Sequence, residues 1–247
     1  MSENKLKFPT EEVELPSKGL LYPEGHPLKS GKIEMKYMTA KEEDILTNQN
    51  YIAKGIVLDK LLQALVVTDV NIKDLLIGDK NAILIASRIL GYGKDYTIKY
   101  KGQEHVVDLS ELKNKELDKK LFKSGKNEFD YELPSSGTKI TFRFLTDGLD
   151  KQIEEEIKGI KKINKTASPE YSTRMKFLIT SVEGDRSGKT IRDFVDNYLL
   201  ARDAKALRDH VVKLQPDIEL KTQIEDDYGE FEEIDVPISL NFFFPDA

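Results

Sequence analysis

Apolar positions first alternate along the chain and then recur at helical spacing. Ile33, Met35 and Tyr37 alternate with charges, as on a half-buried strand. Thr39-Ala-Lys-Glu42 follows. It is a capping box, in which the Thr39 hydroxyl takes the Glu42 amide and the Glu42 carboxylate reaches back, and it predicts a helix to about Leu46. Ile56, Leu58, Leu61, Leu62, Leu65 and Val66 then recur with a helical period. Asn71 and Asp79 are suitable N-caps and predict helices over residues 72–77 and 80–90. The second helix is apolar nearly all round (Ile83, Leu84, Ile85, Ala86, Ile89, Leu90), the mark of a central helix, and Gly91 and Gly93 end it.

The middle of the chain changes period. Residues 96–100 and 105–109 alternate across Lys101-Gly102 and predict a hairpin. Residues 129–133 and 139–144 predict a second strand pair, joined by a turn over 134–137. Between them lies a Lys-rich stretch, residues 110–126, whose Leu112, Leu117 and Leu121 suggest a short helix. Three apolar stripes then predict helices: Leu149, Ile153, Ile157 and Ile160; Tyr171, Met175, Leu178 and Val182; and Ile191, Phe194, Val195 and Tyr198. Ser168-Pro169 marks the start of the second. Asp203 is expected to cap a last helix bearing Leu207, Val211 and Leu214, stopped by Pro216. Alternation over Ile218–Ile224 and again from Ile234 to Phe244, around a turn at residues 226–229, predicts a closing hairpin whose second strand runs into the tail.

The expected fold class is α+β: two mainly helical portions, a small antiparallel β insertion and a C-terminal β-hairpin. The boundaries are a flexible arm over residues 1–14 and an N-terminal helical portion over 15–94. The β insertion spans 95–145, the C-terminal helical portion 146–216, and the hairpin and tail 217–247.

Composition narrows the chemistry. Of the 247 residues, 39% are hydrophobic and 33% charged, a mix that supports a globular core. The net charge of −6 gives no general pull toward nucleic-acid backbones. Without cysteine there is no disulfide, no thiolate metal site and no Cys nucleophile. The polar start MSENKLKFPTEE lacks the apolar run of a signal peptide, and no apolar stretch is long enough to span a bilayer. Together these predict a soluble protein made and used inside a cell, with no membrane partner.

Candidate catalytic features are weak. Gly184-Asp-Arg-Ser-Gly188-Lys189-Thr190 is one residue short of the phosphate loop G-x-x-x-x-G-K-[ST], and a helical reading of residues 171–182 denies it the strand such a loop follows. The plainer reading is a turn between helices with Thr190 as N-cap. His26, His105 and His210 are scattered, without metal-ligand spacing, so no metal or cofactor is expected. His26 is expected to hold its loop by a hydrogen bond, and His210 to be a solvent-facing or boundary residue on an amphipathic helix. The acidic clusters have local explanations, Glu154 standing one turn before Lys158 as a helix pair. The basic helix end at Lys158, Lys161, Lys162 and Lys165 offsets the helix dipole.

The two chain ends stand out. Residues 15–29 combine three prolines and two glycines with Leu20, Leu21, Tyr22 and Leu28, an irregular ordered loop. Phe242, Phe243 and Phe244 stand in a row, and on a strand three adjacent aromatics cannot share one face. Leu20, Leu21, Tyr22, Phe242, Phe243 and Phe244 are therefore candidate partner-binding residues, with coverage of the chain's own core as the competing reading.

These same residues lie in blocks that resemble the T4-type phage baseplate hub assembly protein family. The blocks are LPSKGLLYP at 15–23, MTAKEEDIL at 38–46, GIVLDKLL at 55–62, DLLIGDKNAILIASRILGYGKDY at 74–96, LTD at 145–147 and PISLNFFFP at 237–245. Several relatives in that family carry a cysteine-bearing, zinc-ribbon-like knuckle near the first hairpin, and residues 96–109 here have no Cys. The resemblance implies a non-catalytic role in assembling or building the baseplate hub. It implies other hub proteins and the tape-measure protein as partners, and the host cytoplasm and then the virion tail baseplate as location. The helical N-terminal half is also similar to tail assembly chaperones that hold the tape-measure chain, which is the alternative role. A P-loop-like NTPase is the third.

Overall fold

The computed structural model describes residues 9–225 and 231–244. Among these residues the architecture is α+β: eight α-helices with small antiparallel sheets. Strand β1 (Thr10–Glu14) pairs antiparallel with β2 (Lys32–Lys36), setting Val13 opposite Ile33. Residues 10–14 therefore belong to a sheet and not to a free arm. Their TEEVE sequence reads as an arm because one apolar side chain is all an edge strand needs here. Residues 1–8 lie outside the described residues, as does the turn expected at 226–229.

Helices α1 (Ala40–Leu46), α2 (Gln49–Ala53), α3 (Val57–Leu65) and α4 (Ile77–Tyr92) follow. The Thr39/Glu42 capping box forms as expected, and Lys36 adds an ion pair to the buried Glu42 at 2.8 Å. Asn48, with its side-chain oxygen on the Asn50 and Tyr51 amides, starts α2. Asn71 caps only a 3-10 turn, Ile72–Asp74, instead of a helix over 72–77. The next helix starts at Ile77, earlier than expected, because a neighbouring segment satisfies its end: Leu145 O accepts from Ile77 N at 3.2 Å. Asp79 thus sits in the first turn of α4 and is not its cap. The apolar girth of α4 is buried against α3, β1 and the 3-10 turns at Leu109–Glu111 and Leu240–Phe243.

Gly78 permits a further close approach of α4, to the segment at Pro216 and Asp217. A Cβ placed there would lie 1.9 Å from Pro216 O and 2.8 Å from Asp217 Cα, both rigid backbone. Alanine normally favours a helix over glycine by ~1 kcal/mol. Here Gly78→Ala is expected to lower stability by about 2 kcal/mol, because the clash outweighs propensity. A denaturant midpoint at or above that of the unaltered chain would refute the close packing.

The hairpin β3 (Asp95–Tyr100) and β4 (Gln103–Asp108) forms about Lys101-Gly102 as expected, its second strand starting two residues early. Lys101 and Gly102, with φ of 49° and 88°, make the two-residue turn whose twist suits a hairpin. Residues 110–126 contain no α-helix. They hold parts of two 3-10 turns, Leu109–Glu111 and Lys119–Leu121, started by Asp108 and Asp118. The five-residue step from Leu112 to Leu117 does not keep one helical face.

Strands β5 (Phe129–Glu132) and β6 (Lys139–Phe142) pair as expected, but a third strand completes their sheet. It is β7 (Ile179–Val182), with Ile140 opposite Val182 and Phe142 opposite Ile179. The β module of segment 95–145 therefore takes a third strand from outside that segment. Helix α5 (Asp147–Ile163) precedes α6 (Glu170–Leu178), and α6 ends where the expected stripe continued to Val182. The run Ile-Thr-Ser-Val is β-branched and favours strand, while its Leu178-to-Val182 spacing mimics a helix. Helix α6 begins at Glu170 with Pro169 as N-cap. Helices α7 (Gly188–Asn197) and α8 (Ala201–Leu214) follow.

Asp203 lies inside α8 and caps another element: its carboxylate accepts from Ser135 N at 2.7 Å and Ser136 N at 3.0 Å, tying α8 to the β5–β6 turn. His210 stacks on Tyr131 across the same contact at 4.5 Å, half-buried at the boundary as expected. Strands β8 (Lys221–Glu225) and β9 (Phe231–Asp235) make the last hairpin. Strand β9 stops at Asp235, and the tail closes as the 3-10 turn Leu240–Phe243 instead of extending as a strand. Among the described residues no helix is long and apolar enough to cross a membrane.

Candidate functional site

The six candidate partner-binding residues belong to the interior of the chain. Leu21, Tyr22, Phe242 and Phe243 are buried, while Leu20 and Phe244 are partly buried against the same core. The expectation that Leu21, Tyr22, Phe242 and Phe243 are offered to a partner is corrected. Its premise was that the terminal aromatics alternate on a strand. A 3-10 turn instead sets successive side chains a third of a turn apart. Phe242 and Phe243 can then both enter the core, packed edge to face at 5.4 Å, with Tyr96 against Phe242 at 4.9 Å. The loop at 15–29 is likewise folded inward, and His26 holds it by accepting from Leu28 N through Nδ1 and stacking on Tyr22.

Both ends converge on polar groups of α4. The Asp79 carboxylate accepts from Ser17 N at 2.9 Å and from the Tyr22 phenol at 2.7 Å, and that phenol accepts from Leu76 N at 3.1 Å. Burial pushes the Asp79 carboxyl above its ordinary range, outweighing the donors from Ser17 and Tyr22. Burial, with the adjacent Asp79 charge, also pushes the Tyr22 phenol far up, so it stays protonated and donates.

One residue along α4, Lys80 pairs with Asp147 and, at 3.2 Å, with Asp59. Lys151 pairs with the same two carboxylates, at 2.7 Å to Asp59, closing a ring of alternating charge between α3, α4 and α5. Next to it Leu76 and Thr146 form an antiparallel bridge, with Asp147 N donating to Leu75 O at 2.8 Å. Asn81 donates to Asp217 Oδ1 at 3.0 Å.

At the far end of α4, Arg88 is 1% exposed. Its Nε donates to Phe242 O at 3.0 Å, Nη1 to Gly93 O at 3.0 Å and Nη2 to Asp95 O at 3.2 Å. Three carbonyl dipoles, one of them at the C-cap of α4, thus balance the guanidinium. One side chain joins the end of α4, the start of β3 and the tail.

The Gly184–Thr190 loop follows a strand, β7, contrary to expectation, and leads into α7. The space a phosphate would need at the helix start is taken by the chain's own Asp185. Its carboxylate accepts from Ser187 N at 2.8 Å and from the Thr190 hydroxyl at 2.6 Å. Ser187, not Thr190, is the N-cap. Arg186 is engaged by Glu128 in a two-point pair at 2.7 and 2.8 Å, which holds the Glu128 carboxyl down to about 2. Among the described residues no group of three or more His, Asp or Glu is placed to hold a metal ion.

Asp79 and Arg88 escaped the sequence reading as tertiary anchors, although a signal was present. A helix apolar on every side has no solvent face for a charge, so any charged residue on it has to find partners indoors. No family model matches the chain, and no curated protein or solved structure matches it either.

Proposed function

We propose that this chain is a non-catalytic phage tail baseplate hub protein, acting in assembly or as a hub component through protein–protein contacts. The supporting observation is where the family-like blocks meet. The block at 15–23 supplies Ser17 and Tyr22 to Asp79 of the block at 74–96. The block at 55–62 supplies Asp59 and the block at 145–147 supplies Asp147, both to Lys80. The ending at 237–245 supplies Phe242 O to Arg88. Five segments far apart in sequence therefore have a common physical purpose, the mutual fixing of α4. Blocks that serve shape in this way suit a protein that acts by presenting surfaces.

Mass spectrometry of purified phage particles, run beside cross-linking in the infected lysate, tests the reading. Cross-links to baseplate hub proteins are the expected result. Recovery from finished tails as well indicates a hub component. Presence only in lysate complexes indicates an assembly factor, and cross-links confined to the tape-measure protein would make it the chaperone. ATP hydrolysis abolished by Lys189→Ala, or no association with any tail protein, would overturn the proposal.

A further inference from the structure

With Leu21, Tyr22, Phe242 and Phe243 packed inside, a contact surface has to be sought elsewhere, and two bare strand edges supply one. Leu109 N donates to Lys94 O at 2.9 Å, so in the β3–β4 register the even-numbered residues of β3 bond to β4. The N–H and C=O groups of Thr97 and Lys99 then point away from β4. Asp95 obeys the same parity, its outward carbonyl being the one Arg88 takes. On the last hairpin, Val236 N donates to Leu220 O at 2.8 Å, so Ile234 faces β8 and the backbone groups of Glu233 and Asp235 face away.

Residues 96–100 of β3 and 233–235 of β9 line one cleft of about 860 Å³. The Tyr100 phenol, donating to Glu232 Oε1 at 2.9 Å, spans one end, and Pro237, Asn241 and Phe244 stand at the other. The lining carries buried Tyr96, Ile98 and Ile234. Its charged residues are Glu104, Glu233 and Asp235 against Lys99; Lys99 pairs with Glu104 and Lys221 with Glu233, which leaves an acidic balance carried by Asp235.

We propose that this cleft takes an extended basic segment of a partner protein as an added β-strand. Unpaired strand edges are sites that folded proteins normally cover, and an extended peptide satisfies them with its own backbone. The acidic balance selects lysine- or arginine-bearing segments, with apolar residues at alternate positions against Tyr96, Ile98 and Ile234. The inference rests on the reading of the chain as an assembly protein and gives that reading a surface and a partner chemistry.

The test uses the full chain and a synthetic probe, acetyl-Lys-Val-Lys-Val-Lys-Val-Lys-amide, followed by amide hydrogen exchange. Binding is expected to slow exchange at Thr97, Lys99, Glu233 and Asp235 by on the order of ten-fold. The same peptide N-methylated at alternate residues is expected to give no protection. The double change Glu233→Lys and Asp235→Lys is expected to weaken binding about ten-fold while leaving the unfolding midpoint close to that of the unaltered chain, since both residues are exposed. Absence of protection at these four amides overturns the proposal. So does equal protection by the glutamate analogue of the probe. Protection that appears without peptide and rises with protein concentration would assign the edges to a second copy and overturn it too. Failure here leaves the particle and cross-linking result untouched, because that result does not depend on which surface makes contact.

Discussion

Arg88→Ala is expected to destabilise the chain by about 4 kcal/mol, the largest effect of any single change considered. The guanidinium is buried and gives one hydrogen bond to each of three carbonyls, on Phe242, Gly93 and Asp95. Charged hydrogen bonds contribute roughly 1.5–3 kcal/mol each, and their loss leaves carbonyls without donors. Relaxation and entering water return part of that sum. The stem is also packed, with the guanidinium 5.2 Å from the Tyr92 ring centroid. A typical domain has a net stability of about 5–15 kcal/mol, so little margin remains. Arg88→Lys is expected to cost nearly as much, about 3 kcal/mol, because one ammonium cannot match a planar fork aimed at three fixed acceptors. Urea midpoints measure both. A lysine variant within 1 kcal/mol of the unaltered chain would show that charge alone matters and the fork does not. Amide exchange should accelerate first over Asp95–Asp108 and the tail, which lose a common anchor.

Asp79→Asn is expected to cost about 2 kcal/mol although the side chains have the same shape. The carboxylate faces two donors, Ser17 N and the Tyr22 phenol. An amide has only one acceptor oxygen, so in either orientation its NH2 confronts a donor. Tyr22 cannot turn away, since its oxygen also accepts from Leu76 N. A pH dependence accompanies the loss. Burial raises the folded-state carboxyl above the ordinary value of 3.8. Just above that value the folded chain therefore holds a proton that the unfolded chain has released. Stability contributed by this group is full at low pH and declines as pH rises through the folded-state value. The asparagine variant has no such slope. Urea midpoints of the two proteins from pH 4 upward should thus converge as pH rises, and a difference that widens would contradict the burial.

Much of the fold was legible in periodicity. The capping box at Thr39, the hairpin turn at Lys101-Gly102 and the central character of α4 are local or nearly local patterns, and each forms as read. What escaped reading depends on partners distant in sequence. Asp79 and Asp203 have the chemistry of N-caps, but the amides they bind belong to the loop at Ser17 and the turn at Ser135 and Ser136. Ile179–Val182 carries both a helical spacing and a β-branched composition, and only the open edge of β6 decides between them. The three adjacent phenylalanines advertised a surface because a strand was assumed. Changing the backbone to a 3-10 turn reversed their meaning. The bare edges of β3 and β9 leave no trace in sequence, since a backbone edge has no residue type.

The placement of β7 carries a consequence for synthesis on the ribosome. The β5–β6 hairpin emerges early, yet the neighbour that covers the far side of β6 arrives only after α5 and α6 have been made. During that interval a nascent chain displays an unguarded row of amides and carbonyls beside Phe142 and Ile140, open to wrong partners on neighbouring chains. The pace at which the two helices follow thus governs how much of the newly made protein escapes aggregation.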